Sequence, residues 1–111
     1  MRNVAAALAR AVPVHRALAL EVPRTGLATD GIAAAFVEGA ALARYVYRLG
    51  AEADDAKLDS LELVAGSALL ADLTQGIKRG EVLVRAAKLA RDLAGTPGGI
   101  LTPTQIGKVT R

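Results

Sequence analysis

A helix of about 25 residues is roughly 37 Å long at 1.5 Å per residue, and residues 69–94 of this chain are patterned to form one. Lys78, Glu81, Arg85, Lys88 and Asp92 recur at spacings of three and four and so line one face. Glu81 with Arg85 and Lys88 with Asp92 stand in the favourable i,i+4 order. Leu73, Ile77, Val84 and Ala87 take the opposite side, with Leu83, Ala86, Ala90 and Leu93 one row over. Gly76 and Gly80 weaken this helix and are places for it to bend, each costing up to about 1 kcal/mol against alanine. The run stops at Gly95-Thr96-Pro97-Gly98-Gly99 and helix resumes behind Thr102-Pro103. Thr102 suits an N-cap, Pro103 the first helical position, and Gln105 completes a capping box, which predicts a helix over 103–110. A chain that merely needed to turn could do so with a single glycine.

The residues before the long helix predict a body too small to need such a rod. An alanine-rich helix over 3–11 ends at Pro13, because proline disfavours helical backbone in the residue before it. A strand over 15–22 follows, in which Arg16, Leu18, Leu20 and Val22 alternate with Ala17, Ala19 and Glu21. Both faces are apolar enough to place it inside a sheet. Thr29 or Asp30 caps a helix over 31–49, whose stripe is Ile32, Phe36, Ala40, Ala43 and Tyr47, and Gly39 with its alanine neighbours leaves a thin flank for a close neighbour. Gly50 stops it, an acidic turn at Glu52, Asp54 and Asp55 follows, and a more polar strand over 57–64 belongs nearer an edge. The predicted fold class is α/β, incomplete, with helices at about 3–11, 31–49, 69–94 and 103–110 and strands at about 15–22 and 57–64. Two short strands leave apolar faces uncovered, so the isolated chain is expected to fold poorly.

Charge and chemistry exclude several classes. The net charge is +3, with an acidic middle and basic flanks, but aromatics are 3% and no nucleic-acid module is present, so no nucleic-acid partner is expected. Arg10, His15 and Arg16 interrupt the apolar N-terminus, which argues against a secretory signal, and no apolar run is long enough to span a bilayer. With no cysteine there is no disulfide framework. A soluble, cytoplasmic protein is expected. His15 is the lone histidine and reads as a strand-boundary residue. Asp54 and Asp55 are adjacent carboxylates with no third ligand at a useful spacing, and read as a solvated turn. Arg91 and Asp92 can pair across an interface, but the plainer reading is a helix C-terminus favoured by a cation. The glycines of residues 95–99 lack the lysine and spacing of a phosphate loop. These residues predict no catalytic, cofactor-binding or metal-binding side chain in the chain.

Two blocks carry a resemblance. The segment "AAKLARDLAGTPGGILTPTQIGKV" resembles the part of the leucyl aminopeptidase (cytosol aminopeptidase) family where a connecting helix ends in Ala-Arg-Asp-Leu, a Pro turn follows and helix resumes at Leu-Thr-Pro. Upstream, Glu38, Gly39, Leu42 and Tyr45 match the family's Glu-Gly-x-x-Leu-x-x-Tyr helix. The blocks keep the family's order and separation and cover roughly residues 30–111; Gly98-Gly99 departs from it, where a glycine or alanine followed by asparagine is usual.

The resemblance implies a place in a larger enzyme. Residues 1–65 would close an N-terminal α/β domain, 66–94 would be the connecting helix, and 95–111 would open the catalytic domain. The family is hexameric, releases N-terminal amino acids from peptides, and uses two divalent ions, manganese or zinc. Its metal ligands and catalytic lysine lie in Gly-Lys-Gly and Asn-Thr-Asp-Ala-Glu-Gly segments that do not occur here. Such ions must be held by several carboxylates to acidify a water and polarise a peptide carbonyl. The expected function is therefore that of an inactive fragment partnered by the rest of a catalytic domain, with a freestanding α/β interaction module as the alternative.

Overall fold

The computed structural model describes residues 1–46 and 58–109. Helix α1 (Arg2–Ala11) ends at Val12, whose φ of −123° and ψ of 58° are the non-helical values expected before Pro13. Strand β1 (Ala17–Glu21) is followed by helix α2 (Thr29–Ala43) and strand β2 (Ser60–Val64). A 3₁₀ turn (Ser67–Leu69) leads into helix α3 (Leu70–Gly95), and helix α4 (Pro103–Val109) closes the described chain. These are the elements of an incomplete α/β fold.

The strands pair in parallel, Ala17 opposite Ser60 through Glu21 opposite Val64. Parallel neighbours need a crossover, and α2 lies between them in sequence, so the centre of the chain is a βαβ unit. Leu18, Leu20, Leu61 and Leu63 turn to one face and pack against the core cluster that includes Ile32, Phe36 and Ala40 of α2. Phe36 and Ile32 are each 3% exposed. The other face carries Ala17, Ala19, Glu21, Ser60, Glu62 and Val64 and is exposed, so β1 is not enclosed on both sides among the described residues. In a sheet of two strands each is an edge, and the distinction expected between an inner and an outer strand does not arise there.

Three glycines set the helix spacing. A Cβ on Gly39 of α2 would overlap the carbonyl oxygen of Arg2 and lie 3.1 Å from the Ala5 Cβ, so α1 crosses α2 where its backbone is bare. Ala5 and Ala9 are fully buried in that contact, which is the thin flank anticipated at Gly39. Gly76 and Gly80 do for α3 what Gly39 does for α1. A Cβ on Gly76 would overlap the Asp30 carbonyl oxygen, and one on Gly80 would lie 2.9 Å from the Val37 Cβ. The α3 helix is assigned without interruption from Leu70 to Gly95, so these glycines serve backbone contact with α2, in place of the expected weak points.

Several boundaries differ from expectation for identifiable reasons. Helix α2 stops at Ala43, short of the expected 49, because Arg44 leaves helical geometry (φ −103°, ψ 2°). Its guanidinium turns back to the end of α1. Residues 47–49, with Tyr47 of the predicted stripe, and the acidic turn at Glu52, Asp54 and Asp55 lie outside the described residues. Neither Thr29 nor Asp30 is the N-cap of α2; Ala28 holds that position, and Asp30 lies in the first turn, where its carboxylate suits the helix dipole. Strand β1 is shorter than 15–22, though Val22 N–H still donates to Val64 carbonyl at 2.9 Å. Strand β2 begins at Ser60, with Leu58 and Asp59 outside it.

The buried residues of α3 are Leu73, Gly76, Gly80 and Val84, all in its first fifteen positions. Leu83, Ala86 and Ala90 of the second predicted row are exposed. The pairs Glu81–Arg85 and Lys88–Asp92 are not among the ion pairs of the described residues.

Candidate functional site

The densest polar arrangement is built by the end of α2. Ile32, Phe36, Ala40 and Arg44 follow one another at intervals of four, so the arginine continues the buried stripe, and it is 8% exposed. A guanidinium taken from water needs acceptors for its donors. Its Nε donates to the Ala9 carbonyl at 2.8 Å, Nη2 to the Val12 carbonyl at 2.5 Å, and Nη1 to the His15 carbonyl. Two of these carbonyls lie at the C-terminal end of α1, where intrahelical donors run out. Arg44 therefore clamps the end of α1 and the turn leading to β1. Sequence reading assigned it no role, although a charge on an apolar stripe was the signal.

The next residue joins α2 to α3. The Tyr45 ring has Lys88 Nζ 5.7 Å from its centroid and the Arg91 guanidinium carbon at 5.9 Å, within the range of cation–π attraction. Arg91 also donates to the Leu42 carbonyl at 3.3 Å. Its charge thus meets the C-terminal end of α2. The Tyr45 hydroxyl is buried with no hydrogen-bond partner among the described residues. At the other end of the Glu-Gly-x-x-Leu-x-x-Tyr block, Glu38 pairs with Arg2 at 2.7 Å. The block is spent on holding α1 and α3 against α2.

His15 lies exposed in the loop between α1 and β1, with its backbone N–H donating to Val12 carbonyl at 3.1 Å. Asp54 and Asp55 lie outside the described residues. Among the described residues no three His, Cys, Asp or Glu side chains gather where they could hold a metal ion. The donor set there does not fit a pair of divalent ions, which needs several carboxylates in one place.

The break after α3 is built from local bonds. Thr96 donates through its N–H and hydroxyl to the Asp92 carbonyl, at 3.0 and 2.6 Å, and extends ahead of Pro97. Ile100 and Leu101 N–H groups close the turn on the Pro97 carbonyl at 2.9 and 3.0 Å. Gln105 N–H reaches the Thr102 hydroxyl at 3.4 Å, while Thr102 N–H donates to the Ile100 carbonyl, so this half of the predicted capping box forms and the Thr102 N–H turns elsewhere. A Cβ added at Gly98 or Gly99 would meet nothing within 4 Å, and neither residue has a left-handed φ, so the turn tolerates asparagine there.

Among the concavities of the described residues, two lie near the strand ends and the break after α3. One of about 310 Å³ lies at the carboxyl ends of the strands, lined by Arg24, Thr25, Thr29, Leu27 and Leu69 among others. Another of about 370 Å³ lies between α3 and α4, lined by Leu89, Leu93, Ile100, Leu101 and Val109 with Asp92 and Gln105. Neither holds a nucleophile beside a general base. No helix of the described residues is long and apolar enough to cross a membrane.

The chain matches no family model and no solved structure. It is 34% identical over 119 residues to a probable cytosol aminopeptidase of Roseiflexus castenholzii, which covers 100% of this chain and 24% of that protein. It is 29% identical over 117 residues to a probable cytosol aminopeptidase of Alkaliphilus metalliredigens, covering 97% of this chain and 23% of the relative. A third, from Persephonella marina, bears the same name and is 25% identical over 83 residues, or 74% of this chain and 17% of its own length. The chain thus spans less than a quarter of the length of the curated relatives it matches, and along nearly all of its own length it is similar to part of proteins named cytosol aminopeptidase.

Proposed function

We propose that this chain is the strut of a metal-dependent leucyl aminopeptidase, an enzyme that releases N-terminal amino acids from peptides. The observation that carries the reading is the coverage: nearly the whole chain aligns with less than a quarter of proteins named cytosol aminopeptidase. In this reading residues 1–65 belong to an N-terminal α/β domain, 66–94 form the connecting helix and 95–111 open the catalytic domain. The packing supports it. Gly76 and Gly80 fasten the first half of α3 to α2, and the second half leads into the Thr96-Pro97 break and the restart at Thr102.

The intact enzyme would use two manganese or zinc ions, act as a homo-oligomer in the cytoplasm and bind peptides there. In this reading the ions and the chemistry they supply belong to the rest of the catalytic domain. This chain positions and does not hydrolyse. The test is hydrolysis of a leucyl amide by the pure chain with added manganese or zinc: no turnover is expected, and turnover abolished by a chelator would overturn the assignment. Reading the coding frame downstream separates the two leading hypotheses. Continuation into Gly-Lys-Gly and Asn-Thr-Asp-Ala-Glu-Gly segments supports the strut, and an immediate stop favours a freestanding interaction module.

A further inference from the structure

We draw no further inference here: the strongest candidate, the apolar groove of about 370 Å³ between the C-terminal half of α3 and α4, is an unpartnered face and nothing in the structure shows what covers it.

Discussion

Replacing Gly76 with alanine sets two physical effects against each other. Helix propensity alone makes Gly76→Ala stabilising by up to about 1 kcal/mol. Packing opposes it: the new Cβ would overlap the Asp30 carbonyl oxygen and lie 2.8 Å from both the Ala33 Cβ and the Asp30 Cα. Carbon atoms prefer roughly 3.5–4.0 Å, so α2 and α3 must part by about 1 Å at this point. The obstacles are backbone and a Cβ, which cannot swing aside, so the cost belongs at the upper end of the ~1–3 kcal/mol typical of overpacking. The net expectation is destabilisation by about 2 kcal/mol, or roughly 30-fold in the folding equilibrium. Urea unfolding followed by far-ultraviolet circular dichroism, with trimethylamine oxide present to favour the folded baseline, is the assay. With a slope of about 1.5 kcal/mol/M the midpoint falls by about 1.3 M. Gly31→Ala is the control, since nothing lies within 4 Å of its Cβ position in the first turn of α2, and its midpoint should hold or rise. A Gly76→Ala midpoint at or above the parent's, with Gly31→Ala behaving as stated, refutes the close contact between α2 and α3.

Other substitutions probe the polar contacts. Arg44→Ala strips the carbonyls of Ala9, Val12 and His15 of a charged donor and should cost about 2–3 kcal/mol. Arg44→Lys should recover less than half of that, because an ammonium lacks the fork; full recovery in the same urea assay would show that charge alone suffices. The Arg16–Asp59 pair, 2.7 Å apart with side chains 54% and 50% exposed, should yield a coupling below about 1 kcal/mol in a double-mutant cycle, and a larger coupling would contradict its exposure. Tyr45→Phe should be neutral or slightly stabilising, since the lost hydroxyl is buried without a partner among the described residues, and a loss above about 1 kcal/mol would reveal a hydrogen bond.

How far the fold could be read from sequence varies by element. Each of the four helices and both strands was legible, because an apolar period of two or of three to four is a property of neighbouring side chains. Pro13 and Pro97 marked their breaks for an equally local reason. The end of α2 was not legible. Periodicity continued through Tyr47, but Arg44 found better partners in carbonyls up to 35 residues away and left the helix to reach them. Gly76 and Gly80 were misread in the same way: propensity sees only their weakness as helix formers, while their use is to admit another backbone. The candidate site fared similarly. His15, expected at the head of a strand over 15–22, lies in the loop before β1, and the bond from Arg91 to the Leu42 carbonyl, 49 residues earlier, left no local signal.

The sequence by itself determined the order and kind of the elements, the position of the double break, and the resemblance carried by Glu38 to Tyr45 and Ala86 to Val109. Those depend on residues within about one helical turn of each other. Only the tertiary structure decided that the strands run parallel, that bare glycine backbone brings three helices together, and that Arg44 and Arg91 cap helices other than their own. The reason is physical. A hydrogen bond or a close contact is a relation between two surfaces, and a one-dimensional pattern records the chemistry of each surface without recording which one it meets.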